Sequence, residues 1–276
     1  MSAAVDSLQE DVVRPPQVNR WTRNRKIGYA LVGLWILIGV GLVVYLFAAW
    51  NPELIERYFP AYMKGLATTI KLVILSIIAG AILSLPVCYA RMSSNVVLQA
   101  LAYGYVYFFR GTPLLAQTFL IYYGLGSFRA ELQTIGLWVF FRDAFNCAVF
   151  AFALNTAAYQ AEILRGAIQS VARGQWEGAQ SLGLPKLLTL RKVVLPQALI
   201  VALRPYGNEI ILMIKASAIV ALITVFDLMG ETRRAFSRSF DFQTYIWAAV
   251  IYLTIVETLR HGIDWIERRI TRHLKR

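Results

Sequence analysis

Runs of roughly 18 or more apolar residues, almost free of charge, recur along this chain between short polar and basic segments. A helix of that length matches the hydrocarbon thickness of a bilayer, so each run reads as a candidate membrane span. Composition agrees. Hydrophobic residues make up 58% of the 276 positions and the mean hydropathy is +0.53, whereas soluble domains hold about 45–50% apolar residues. The chain therefore reads as an all-α integral membrane protein with six transmembrane helices.

The 28 basic residues outnumber the 16 acidic ones, a balance that fits nucleic acid only if the charge forms one face or stripe. Here the Lys and Arg residues stand beside the apolar runs, so nucleic-acid binding is excluded. The outer loops hold Arg57, Lys64, Arg129, Arg142, Arg233, Arg234 and Arg238, and the inner segments hold more than twice as many, from Arg14 to Arg276. That bias puts both termini in the cytoplasm. Arg233, Arg234 and Arg238 go against it, offset by Asp227, Glu231 and Asp241.

The domain plan follows. Residues 1–26 form a polar cytoplasmic tail with Pro15-Pro16, and 27–49 form an N-terminal transmembrane anchor, too long for a signal-peptide core of about 7–15 residues. A short outer loop carries Pro52, Glu53 and Glu56. Residues 58–267 form the main transmembrane domain, with its second span at about 66–90 and a cytoplasmic loop at 165–197. Thr112-Pro113 is a helix start, Thr as N-cap and Pro as first residue. It divides an aromatic stretch at 97–109, read as lying along the inner interface, from a third span; one long kinked helix is the alternative reading. The fourth span covers about 144–163. The fifth lies within 198–226, interrupted by Pro205 and Gly207, and the sixth covers about 243–263. Residues 268–276 form a basic cytoplasmic tail.

The loop at 165–197 is polar, and a polar helix–turn–helix between spans suits a soluble partner better than lipid. Gly174 can end the preceding turn, and Gln175 to Leu182 can form a short helix with Glu177 near its positive N-terminal end. Gly183 suits the left-handed position that ends helices. Pro185 starts a second helix, which Leu195-Pro196 closes. Trp176, Ala179 and Leu182 share a face that can fill a groove on another protein or rest on the membrane domain itself. The order Glu177-Gly178-Ala179, three residues, Gly183, nine residues, Val193, one residue, Leu195-Pro196 resembles the EAA loop of importer-type ABC permeases. Gly178 stands for the usual Ala and Val193 for the usual Ile.

Other stretches resemble permeases for polar amino acids: FFRGTPLLAQTFLIYYGLG at 108–126, LNTAAYQAEILRGAI at 154–168 and NEIILMIKASAI at 208–219, the last with Ser217-Ala218-Ile219 in place of a usual Thr-Ser-Leu or Ser-Ser-Leu. The subgroup for histidine, lysine, arginine and opines is the most similar. The resemblance implies a core of five helices, to which 27–49 adds an anchor, in a bacterial inner membrane. It implies docking of ABC ATPase subunits on the loop, through Glu177, Gly178, Ala179, Gly183, Val193, Leu195 and Pro196. It further implies a second permease subunit (a heterodimer, with a homodimer as alternative) and a periplasmic amino-acid-binding protein. ATP and magnesium would belong to the partner ATPase; the chain itself would bind no cofactor.

Polar groups within spans are costly and mark function or helix pairing. Asn155, Tyr159 and Glu162 fall at i, i+4 and i+7 on one face of the fourth span and are candidates for a substrate pathway, with Glu162 able to attract a cationic substrate. Asn208, Glu209 and Ser217 are further candidates, beside Lys215, because broken helices line transporter sites. Interhelical hydrogen bonds, or an ion pair of Glu209 with Lys215 or Arg110, are the structural alternatives. Arg110 reads as an anchor at the inner interface. Cys88 and Cys147 lie in apolar segments and form neither a metal motif nor a disulfide framework. No phosphate-binding GxxxxGK[ST] loop occurs, so no enzymatic role is expected. A self-sufficient, ion-coupled secondary amino acid transporter is the alternative; it is expected to carry an internal repeat, and none is visible.

Overall fold

The computed structural model describes residues 21–48 and 51–274, and every regular element among them is helical. Most of the tail at 1–26, together with residues 49, 50, 275 and 276, lies outside the described residues. Contacts divide the chain at Pro52 into a small N-terminal unit and a large second unit. The first holds α1 (Arg23–Ala48), whose 26 residues are long and apolar enough to cross a membrane.

The second unit opens with α2 (Pro52–Arg91), a single helix of 40 residues. The expected outer loop at Pro52, Glu53 and Glu56 is thus helical. Pro52 takes the first helical position, where its missing N–H costs nothing, and Pro60 and Pro86 lie inside the same helix. At about 60 Å, α2 outruns the roughly 30 Å hydrocarbon layer. The excess carries Leu54, Tyr58 and Tyr62, which bury themselves against Leu228, Ala235 and Ala248.

Next comes α3 (Val96–Gly111), started by Asn95, whose Oδ1 accepts from the N–H groups of Val97 and Leu98. Thr112 and Pro113 are extended, and α4 (Leu114–Phe119) resumes and widens into a π turn at Leu120–Gly124. The short helices α5 (Arg129–Thr134) and α6 (Trp138–Phe141) lead to α7 (Ala144–Gln169), capped by Asp143. The stretch at 97–109 does not lie flat at an interface. Tyr105 Oη donates to Leu154 O at 2.6 Å and Asn155 Nδ2 to Phe109 O at 2.8 Å, both near the middle of α7. So α3 climbs beside α7, and the Thr112–Pro113 break falls at mid-span.

The loop forms α8 (Arg173–Ser181) and α9 (Lys186–Thr189), which passes through a π turn at Leu190–Val194 into α10 (Leu195–Ser217). A 3-10 turn at Ala218–Ile223 follows, then α11 (Leu228–Ser239) and α12 (Gln243–Ile270). Two expectations fail here. Pro196 closes no helix: Leu195 N–H bonds to Leu190 O, five residues back, and this wider turn accommodates the proline ring. Nor do Pro205 and Gly207 interrupt α10. Gly207 instead lets α12 approach, since a Cβ there would stand 2.6 Å from Ile263 Cγ2.

The core centres on α7. Its Ala148, Ala151, Phe152, Ala157, Ala158 and Ala161 are all fully buried, and the alanines let neighbouring backbones come close. Gly80 of α2 lies against Thr156, where a Cβ would clash with the Thr156 methyl group. Outward, Ile74, Ile78, Ile82 and Leu85 of α2 are exposed, an apolar stripe suited to lipid. Among the described residues, five helices are long and apolar enough to cross a membrane, and the shorter Leu114–Gly124 adds to them.

Candidate translocation site and coupling loop

The turn after α8 is set by one residue. Gly183 has φ +72°, a conformation that a Cβ disfavours. Its N–H bonds to Gln180 O at 2.9 Å and that of Leu184 to Ala179 O at 3.1 Å, which together make the Schellman arrangement that satisfies a helix end. Pro185 follows with φ −66° as N-cap of α9 rather than as its first residue. Gly174 lies inside α8, and Glu177 is in its second turn rather than near its start.

The face shared by Trp176, Ala179 and Leu182 divides. Ala179 is buried, and Trp176 packs against the buried cluster that holds Val194 and Ala198 of the same chain. Leu182 is 81% exposed and Leu187, across the turn, 78%. Glu177 and Gly178 are exposed beside them, as is Pro196. The result is a rigid knob, seated on the transmembrane helices by Trp176 and Ala179. It presents a carboxylate and two leucines outward.

At mid-span the polar side chains pair across helices. Gln117 Nε2 donates to Phe109 O (3.0 Å), Thr112 O (3.1 Å) and Thr112 Oγ1 (2.7 Å), while Asn155 Nδ2 donates to Gln117 Oε1 at 3.0 Å and to Phe109 O. Asn155 and Gln117 thereby satisfy backbone groups that the Thr112–Pro113 break sets free. A second web joins three helices. Gln160 Nε2 donates to Ile77 O and Thr156 Oγ1, and Thr156 Oγ1 donates to Glu209 Oε1 at 2.8 Å. Ser217 is buried, its hydroxyl bonded to Ile214 O. Asn155, Glu209 and Ser217 are thus held in interhelical or local bonds. The roles of Gln117 and Gln160 were not apparent from the sequence; the only signal was an amide inside an apolar run.

Glu162 meets two arginines. Arg91 Nε, at the end of α2, lies 2.9 Å from Oε1, and Arg165 Nη2 lies 2.6 Å from Oε2. This carboxylate is occupied, and it fixes α2 to α7 on the side of the α8–α9 knob. Arg110 is the opposite case. It is exposed, holds its guanidinium carbon 5.0 Å from the centre of the Tyr159 ring and makes no ion pair among the described residues. Neither Glu209–Arg110 nor Glu209–Lys215 forms a salt bridge.

Two open cavities flank α10. One, of about 370 Å³, is lined by Arg110, Tyr159, Glu162, Gly166, Val201 and Pro205 among others. The other, about 680 Å³, lies between α10 and α12 and carries Asn208, Lys215, Tyr252, Glu257 and Arg260. At the opposite end from the knob, buried Asp227 accepts from Gly230 N–H (2.8 Å), Tyr252 Oη (3.3 Å) and Thr69 Oγ1 (3.4 Å). Burial pushes its carboxyl up to about 6, against the smaller opposing effect of these bonds. Among the described residues no group of His, Cys, Asp and Glu could hold a metal ion.

Residues 74–272 match the family described as the inner membrane component of binding-protein-dependent transport systems. The nopaline transport system permease protein NocM of Agrobacterium fabrum is 41% identical over 81% of this chain and 93% of its own length. The arginine ABC transporter permease protein ArtM of Escherichia coli is 36% identical over 77% and 96%. Among solved structures, a chain of an amino acid ABC transporter with histidines superposes with a TM-score of 0.70 at 36% identity, over 79% of this chain and 98% of that one. The MetNI methionine transporter, at 18% identity and a TM-score of 0.64, shares the fold. With its apolar helices and its seated loop, the chain belongs to the inner-membrane permease family of binding-protein-dependent ABC transporters.

Proposed function

We propose that this permease imports polar amino acids, basic ones or opines in particular, with energy from ATP hydrolysed by separate subunits. The single observation that carries the coupling half of this reading is the α8–α9 knob. Its backbone is fixed by Gly183, its base is packed by Trp176 and Ala179, and its outer surface shows Glu177, Leu182 and Leu187. An exposed apolar pair on the same knob as an exposed carboxylate suits a protein partner. Two ATPase subunits that carry the ATP and magnesium would dock there, and both termini would be cytoplasmic.

The substrate half rests on relatives whose names specify nopaline, octopine and arginine. A second, different permease would complete the membrane core, and a periplasmic binding protein would deliver the solute. Tyr159, Glu162 and Asn208 border cavities and would line the path; Asn155, Glu209 and Ser217 would hold its walls.

Glu177→Lys tests the coupling. The expected variant inserts normally but loses its co-purifying ATPase and its ATP-driven uptake of labelled arginine and octopine. Undiminished uptake by this variant would count against the docking role. Uptake by the wild type that follows an ion gradient without ATP would point to a secondary transporter instead.

A further inference from the structure

We propose that Arg110 is the carboxylate-recognising residue of the translocation pathway. It would receive the carboxylate of an amino-acid-type solute on a guanidinium held at mid-span. This inference rests on the substrate class proposed above.

Depth comes first. Phe109, the preceding residue, bonds through its carbonyl to Asn155 near the middle of α7. Arg110 therefore springs from mid-span, where an arginine is costly unless water or an anion meets it. Among the described residues, no acidic side chain forms an ion pair with Arg110. The Glu209 carboxylate feels the charge of Arg110 but bonds to Thr156, and Glu162 is taken by Arg91 and Arg165.

Geometry comes second. The guanidinium carbon of Arg110 lies 5.0 Å from the centre of the Tyr159 ring, and a guanidinium held over an aromatic ring can still present its N–H groups to a bidentate partner. Arg110 and Tyr159 both line the cavity of about 370 Å³, within the roughly 300–1,000 Å³ of small-molecule sites. Charge comes third. Glu162, the acidic residue of the cavity lining, is already paired with Arg91 and Arg165, so Arg110 is left to meet an anionic group of a solute there.

The test uses the complex of this chain with its co-purifying subunits in lipid nanodiscs, without binding protein. Calorimetry compares arginine with agmatine, lysine with cadaverine and histidine with histamine; each second member lacks the carboxylate. The wild type is expected to prefer at least one amino acid over its amine by about tenfold or more, the scale of a hydrogen bond to a charged group. Arg110→Gln should abolish the preference by weakening amino acid binding while leaving amine binding within about twofold; Arg110→Lys should retain part of it. An unchanged preference in Arg110→Gln, an equal loss for both ligands, or a wild type without preference overturns the proposal. So does failure of both variants to assemble, which would assign Arg110 a structural role. ATP-driven uptake, measured separately with binding protein, keeps the two readings apart: if the wild type takes up none of these amino acids nor octopine, the substrate class itself fails.

Discussion

Thr156 Oγ1 donates to Glu209 Oε1 across 2.8 Å and ties α7 to α10 inside the core. Both residues are buried, and the same hydroxyl accepts from Gln160 Nε2. Removing the hydroxyl leaves a buried carboxylate without its donor, at a cost of about 1–3 kcal/mol. Thr156→Val is therefore expected to lower the thermal midpoint of the detergent-solubilised complex, whereas Glu209→Gln, which keeps an acceptor oxygen, should melt closer to the wild type. Equal midpoints for Thr156→Val and the wild type would sink this account.

Gly80 marks the closest approach of α2 to α7. A methyl group there meets the Thr156 side chain and the Ala153 carbonyl. Gly80→Ala should destabilise by about 1–3 kcal/mol, as overpacking does, and Gly80→Leu should prevent accumulation in the membrane. Quantified expression and melting of the two variants check this.

In the loop, two glycines should respond in opposite directions. Gly178 is helical, exposed and has open space around its Cα. Gly178→Ala should stabilise α8 by up to ~1 kcal/mol and keep uptake. Gly183, at φ +72°, should lose ~1 kcal/mol or more on mutation to Ala and uncouple the knob. Proteolysis of the loop and ATP-driven uptake provide the readout.

Asp227 gives a pH dependence of defined sign. Its carboxyl titrates near 6 in the fold against 3.8 in its ordinary state, so the folded protein holds this proton more tightly than the unfolded chain. Its contribution is unchanged below about pH 4, falls as pH rises to about 6, and above that costs ~3 kcal/mol. Asp227→Asn keeps an oxygen for the Gly230 N–H and removes the titration. The difference in thermal midpoint between variant and wild type should therefore grow in the variant's favour from pH 4 to pH 7; a constant difference would contradict it.

The sequence by itself determined the features that depend on neighbours along the chain. Uninterrupted apolar length marks helices for lipid, because backbone groups there can bond only internally. A glycine between two helical stretches marks the turn of the loop, because a left-handed residue is a local requirement. Thr112-Pro113 likewise marks a break, because proline restricts the residue before it. Tertiary structure decided what meets across helices. Asn155, Tyr159 and Glu162 share one face by helical spacing, yet they end in three environments: Asn155 at the Thr112 break, Tyr159 under Arg110, Glu162 between two arginines. Their partners lie 46 residues away for Phe109 and 71 for Arg91, a separation that no local pattern encodes. Pro196 and Pro205 show the same limit from the other side. A helix ends at a proline only when nothing else compensates it, and here a π turn and packing against α12 carry the helix onward.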